Sequence, residues 1–231
     1  MNAALSEPLS DAAFSTQNSI EESYTQRSSV GIQANVLADI YQENINIALW
    51  QRAFKPELVT AISEFVALNP RLSKSVTVSP SSAFEILDDA TDGTAPKALL
   101  EDIAELVDMF CCLFELDDVG LRLATLHGAM CPRFHVDKVP CRLVTTYHGI
   151  ATQWLNEYSL DRSKLGHASN GKPDSESGLY ADDSDIQQMT CADVALLKGQ
   201  SWIGNENTAL VHRSPAVATA GARLLLTLDF A

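Results

Sequence analysis

The chain has 231 residues, 46% of them hydrophobic, enough to bury one core of ordinary size without division into several domains. Its 16 Lys and Arg against 30 Asp and Glu give a formal net charge of −14, which argues against a nucleic-acid backbone or an anionic membrane as partner, because both reward cations. Five cysteines without a C-x-x-C pair, no apolar run of bilayer-spanning length and no basic-then-apolar leader make a reducing cytoplasm the expected home.

Residues 1–30 are rich in Ser, Gln, Asn, Glu and Thr and read as a flexible extension, which leaves a single domain over 31–231. Alternation over 45–50 predicts a strand anchored by Trp50. A helix follows Pro56, with Leu58, Val59, Ile62, Phe65 and Val66 on one stripe and Pro70 just beyond its end. Residues 73–78 read as a strand, and 80–95 as a loop bounded by Pro80, Ser81, Ser82, Asp92 and Gly93. A second helix starts near Pro96, where a proline in the first turn sacrifices no hydrogen bond. Its stripe is Leu99, Ile103, Leu106, Val107, Phe110 and Phe114, and Cys111 and Cys112 at its end read as small buried hydrophobes.

From there the pattern turns to strands, at 121–126, 133–137, 141–147, 152–155, 194–198, 209–212 and 223–230. Many short strands with Gly and Pro between them predict a sandwich or barrel, and with the helices the fold class is α+β. The polar insert 156–185, punctuated by Gly166, Gly171, Pro173 and Gly178, reads as a loop, either a lid over a site or disordered. The acidic clusters Asp88, Asp89, Asp92 and Asp182, Asp183, Asp185 lack calcium-loop spacing and read as solvated loops.

The chemistry concentrates in Arg133-Phe134-His135-Val136-Asp137 and in His212. On a strand, His135 and Asp137 point to the same face, and with His212 they supply two imidazoles and a carboxylate. That set holds one face of a mononuclear non-haem iron and leaves positions open for substrate and oxygen. The same three ligands also bind zinc, and Cys131, on the same strand face as His135, would add a soft ligand suited to that metal. Arg142 can pair with a substrate carboxylate or with one of the protein's own. Trp202 and Asn205 are pocket candidates by position, while His127, His148 and His167 have no evident partner.

H-x-D, a distant His and an Arg eleven residues later resemble the Fe(II)/2-oxoglutarate-dependent oxygenase superfamily. Residues 142–147, Arg-Leu-Val-Thr-Thr-Tyr, are similar to the strand after H-x-D in its prolyl-hydroxylase-like branch. The runs 134–140, 152–155, 194–199, 211–215 and 223–230 resemble a bacterial family of unknown function. The oxygenase resemblance implies a helical N-terminal layer packed on a C-terminal double-stranded β-helix, the jelly-roll barrel. It implies His135, Asp137 and His212 as ligands of Fe(II), and Arg223 as the grip on 2-oxoglutarate. Tyr147 is either a second contact to that co-substrate or a core aromatic. The pattern departs at Leu225, where a Ser often stands two residues after the Arg. The function implied is hydroxylation of a small-molecule or protein substrate; the alternative is a cupin-like zinc- or other metal-binding protein of metal homeostasis without catalysis.

Overall fold

The computed structural model describes residues 28–219 and 221–231. Strands β1 (Ser28–Gly31), β2 (Ile47–Trp50) and β3 (Ser73–Val78) precede β4 (Val119–Leu126), β5 (Cys141–His148) and β6 (Gln153–Leu155). They are followed by β7 (Ile186–Gln188), β8 (Val194–Lys198), β9 (His212–Arg213) and β10 (Arg223–Phe230). The helices are α1 (Pro56–Leu68), α2 (Ala83–Ala90), α3 (Lys97–Phe114) and the single turn α4 (Asp174–Ser177), with a 3-10 helix over Ala34–Tyr41.

Seven strands form one sheet in the order β1-β2-β8-β5-β10-β4-β3, antiparallel throughout except for the parallel pair β1 and β2. Three more form a small sheet, β7-β6-β9. The period-two alternation of β4, β5 and β10 sends their side chains to opposite faces of the large sheet. Leu121, Leu123, Leu143, Leu224, Leu226 and Leu228 join the core under α1 and α3. Val144 and Leu225 face the other way, where Ile47, Leu49, Ala195 and Leu197 meet Trp154, Met189 and Leu210. The architecture is a helical layer, a large antiparallel sheet and a smaller sheet. Among the described residues the two sheets do not join into the closed barrel that was expected.

Several expectations need correction. Of the extension placed over 1–30, residues 1–27 lie outside the described residues, and Ser28–Gly31 is a strand because its backbone finds a parallel partner in β2. Residues 80–95 contain α2 rather than only a loop: Ser82 Oγ accepts from the Ser79 N–H at 3.0 Å, and Ala83 and Leu87 bury one turn apart. Two buried residues are too short a stripe to read as a helix. Val59, 48% exposed, is off the α1 stripe, and Cys112 is exposed whereas Cys111 is buried. The strand expected over 133–137 is reduced to one bridge at His135, and the strand expected at 209–212 is the two-residue β9. No expectation covered β7, whose Ile-Gln-Gln carries no apolar alternation. The insert 156–185 is not a free loop: it folds into short turns that bury Leu179 against Phe134, Leu155 and Val211.

Tyr147 proves to be the core aromatic. It lies on the helix side of β5, stacked on Phe54 at 5.4 Å, and its hydroxyl donates to Asp102 of α3 at 2.5 Å. Asp102 also holds Arg52 at 2.6 and 2.9 Å. Burial and then the Asp102 carboxylate raise the phenol's pKa well above its usual value, so it remains a neutral donor. The co-substrate contact read for it is therefore withdrawn, because the neighbouring Thr146, not Tyr147, faces Arg223. Among the described residues no helix is long and apolar enough to cross a membrane, and all five cysteines are free.

Tyr147→Phe deletes a hydrogen bond to a charged group and should cost about 1–3 kcal/mol of stability. Urea unfolding measures this. Metal content should match the wild type, and a variant that stays fully stable but loses metal would return Tyr147 to the site.

Candidate metal centre

Two chain segments meet where the H-x-D run passes β9. The His135 N–H donates to the His212 carbonyl at 3.0 Å, and the His212 N–H returns the bond to His135 at 3.0 Å. This reciprocal pair sets the two imidazoles with centroids 4.6 Å apart. The i, i+2 spacing then brings Asp137 to the same face: its Oδ1 lies 3.7 Å from His135 Nε2 and its Oδ2 lies 3.5 Å from His212 Nε2. Donor atoms of the three residues all lie within 4.8 Å of one another. Ligands at about 2.0–2.2 Å from one metal stand roughly 3–3.5 Å apart, so a small inward movement completes the set.

Each ring is held by its other nitrogen. His135 Nδ1 is 2.9 Å from the Arg133 carbonyl and His212 Nδ1 is 3.2 Å from the Leu210 carbonyl. A carbonyl only accepts, so Nδ1 carries the proton and Nε2 keeps its lone pair toward the cluster. Burial, reinforced by His135 and opposed by Asp137, pushes the His212 pKa down to about 4. The ring is neutral at neutral pH, the state in which an imidazole can take a metal.

The carboxylate is oriented from behind. Arg142 donates to Asp137 Oδ2 at 2.7 Å and, through Nε and a second nitrogen, to Asp229 at 2.8 and 2.9 Å. Of the two partners open to Arg142, the protein's own carboxylates are the ones it takes. The turn carrying Asp137 is pinned by the Gly199 N–H on the Pro140 carbonyl and the Gln200 N–H on the Asp137 carbonyl, both at 2.8 Å. A Cβ on Gly199 would stand 2.0 Å from the Val139 oxygen, so only glycine allows this approach.

The insert braces both histidine segments through Asp174. Its carboxylate accepts from the Phe134 N–H at 2.8 Å, from Arg133 at 3.4 Å and from Arg213 at 3.5 Å, one or two residues from each ligand. Arg133 also donates to Ser169 Oγ and to the Lys172 carbonyl.

Arg223 opens β10 on the same face of the sheet as Leu225 and is 1% exposed. Its guanidinium donates to Ser214 Oγ at 3.0 Å, Thr152 Oγ1 at 2.7 Å and Thr146 Oγ1 at 3.2 Å, while Nε has no partner. Among the described residues no carboxylate meets it. Burial lowers its pKa to about 10, which leaves it cationic at neutral pH. Ser214 follows His212 by two residues and Thr152 directly precedes β6, so this charge sits beside β6 and β9, the second of which carries His212.

Other candidates lie elsewhere. Cys131 is exposed and outside the ligand cluster. Trp202 packs on Tyr41 and under Lys198, and Asn205 bonds Gly199 and Thr208, so both support the helix side or a loop instead of lining this site. His127, His148 and His167 are not part of the cluster. Asp174, Asp229 and the three hydroxyls around Arg223 were not identified from sequence. Their roles depend on cross-strand and insert contacts that no local spacing encodes.

Asp174→Ala should weaken metal binding about 10–100-fold, as removal of outer support for metal ligands does, with Asp174→Asn intermediate. Competition with a chromophoric chelator reads this directly. Wild-type affinity in a folded Asp174→Ala protein would show that the brace does not serve the cluster.

Solved structures offer loose likenesses. The dioxygenase for auxin oxidation of rice has TM-score 0.46 at 10% identity, over 88% of this chain and 82% of that one. The Arabidopsis thaliana dioxygenase for auxin oxidation 1, in complex with 2-oxoglutarate, has TM-score 0.48 at 9% identity, over 88% and 91%. A Pseudomonas putida prolyl-4-hydroxylase has TM-score 0.42 at 13% identity, over 85% and 97%. Likeness at this level transfers no function. No curated protein matches the chain. A family model described as "Protein of unknown function (DUF1826)" matches residues 31–229, and the chain belongs to that family.

Proposed function

We infer that the protein is an Fe(II)/2-oxoglutarate-dependent oxygenase hydroxylating a small-molecule or protein substrate. The observation that carries this reading is Arg223, a buried cation with no counter-ion among the described residues, set beside a two-His, one-carboxylate cluster. A buried charge left unpaired costs several kcal/mol, so the fold is poised for an anion at that place. The three protein donors leave other metal positions open, which suits iron or a bidentate co-substrate. Iron(II) and 2-oxoglutarate, when bound, would supply oxygen activation coupled to oxidative decarboxylation.

The chain's own residues have separate tasks. His135 and His212 offer Nε2, and Asp137 offers the carboxylate that Arg142 orients. Arg223 would take the distal carboxylate of 2-oxoglutarate. The Ser absent at Leu225 is made good from other segments, because Ser214, Thr146 and Thr152 place three hydroxyls around this guanidinium. Leu225 instead joins Val144 and Trp154 in an apolar wall that keeps water from the paired charges.

The alternative, a zinc- or other metal-binding protein without catalysis, draws on the same three ligands. Cys131, which would have added a soft ligand for zinc, is not in the cluster, and that reading gives Arg223 no task.

His135→Ala should abolish stoichiometric metal binding while the protein stays folded, read by metal analysis and circular dichroism. Metal content equal to wild type would end the ligand assignment. Arg223→Leu should weaken 2-oxoglutarate binding by roughly 2–5 kcal/mol and leave metal affinity near normal, as for truncating one side of a buried charge pair. Anaerobic calorimetric titration of metal-loaded protein is the measurement. Absence of 2-oxoglutarate binding to the wild type, or equal binding to both proteins, rejects the oxygenase reading.

A further inference from the structure

On the face of the large sheet turned toward the small sheet, apolar packing covers β2, β8, β5 and the start of β10. Across β3, β4 and the end of β10 that cover stops, and an open cleft of about 430 Å³ remains. Its wall includes Ser75, Thr77, Arg122, Met130, Arg142 and Asp229. Such a volume is ordinary for a small-molecule site. The cleft also adjoins the metal cluster, because the Arg142 guanidinium in its wall is the group that holds Asp137 at 2.7 Å.

The two arginines of this cleft differ in their partners. Asp229 is engaged on two edges by Arg142, at 2.8 and 2.9 Å. Arg122 lies between Ser75 of β3 and Thr227 of β10 in the strand register, so all three side chains share this face. Among the described residues the Arg122 side chain has no hydrogen bond or ion pair, whereas Arg142 is shared between Asp229 and Asp137, so Arg122 is the guanidinium of this wall left without a counter-ion. On a chain of net charge −14, a guanidinium left unneutralised in a cleft is a local attraction for an anion. Its planar fork matches a carboxylate or phosphate bidentately. The exposed Ser75 and Thr77 supply hydroxyls beside it, and Met130, 41% exposed, offers an apolar edge for a carbon skeleton.

We propose that the cleft between β3 and the end of β10 is the substrate site, and that Arg122 binds a carboxylate or phosphate group of a small anionic organic substrate beside the metal cluster. The assignment as substrate rests on the oxygenase reading; the anion site itself does not. Arg223 is reserved for the co-substrate and Arg122 for the molecule to be oxidised.

The test uses fluorine NMR on the full chain loaded with zinc and saturated with 2-oxoglutarate. Trifluoroacetate serves as the carboxylate probe and monofluorophosphate as the phosphate probe. The wild type should bind one of them saturably, and the one it binds names the anion. Arg122→Gln should weaken that binding at least tenfold, while Arg122→Lys, which keeps the charge, should retain part of it. Both variants should hold 2-oxoglutarate as the wild type does. Repeating the titration with Mn(II) in place of zinc should broaden the bound resonance further. Saturable binding of neither probe, or equal binding to Arg122→Gln, overturns the anion site. Binding that depends on Arg122 but is indifferent to Mn(II) overturns its place beside the metal. If the wild type binds a probe through Arg122 yet takes up no 2-oxoglutarate, the oxygenase reading fails while the anion site stands.

Discussion

The reciprocal backbone bond between His135 and His212 is the contact on which the site depends. It joins two segments far apart in sequence, each too short to hold a place in a sheet by itself. A single bridge is a weak device, since one exchanged pair of hydrogen bonds contributes only about 1–3 kcal/mol net. The structure therefore surrounds it. Asp174 ties the residues before His135 and after His212 to the insert, and the Gly199–Gln200 turn holds the backbone at Asp137. Four stretches of chain thus converge to position three side chains.

The distribution of buried charge follows from that convergence. Asp137 is satisfied in part by Arg142, which is satisfied in turn by Asp229, so one guanidinium links two carboxylates. Arg223 is left with hydroxyl partners alone. The contrast is physical: a fold can hide an ion at low cost when it supplies the counter-ion, and otherwise only when a ligand brings one. The first arrangement orients Asp137 toward His135 and His212, and the second leaves a buried guanidinium with no counter-ion among the described residues. Tyr147 and Asp102 make a third arrangement on the opposite face, where Arg52 closes the charge and the cluster serves packing.

The insert illustrates how composition misleads when tertiary contacts are strong. Residues 156–185 are polar and rich in turn formers, so the sequence reads them as lid or disorder. In the structure Leu179 is buried with Phe134 and Val211, and Asp174 is buried on three donors. One apolar residue and one carboxylate at the right places are enough to turn a polar loop into a brace, because each meets partners already fixed by strands.

By itself the sequence determined the long elements and singled out His135, Asp137 and His212, the three residues that the fold brings together. The helix stripe from Leu99 to Phe110, and the strands Ser73–Val78, Val194–Lys198 and Arg223–Phe230, were legible because periodicity repeats over enough residues to fix the element. The spacing of His135 and Asp137 was legible because i, i+2 places two donors on one side of an extended chain. Only the tertiary structure decided that α2 is a helix, that Tyr147 faces the core and that Thr146, Thr152 and Ser214 surround Arg223. It also decided that β3 and β4 border an open cleft and that the sheets remain apart. Periodicity gives the facing of neighbours along a strand, but which face meets helix, sheet or solvent is fixed by contacts between segments distant in sequence, and those have no local signature.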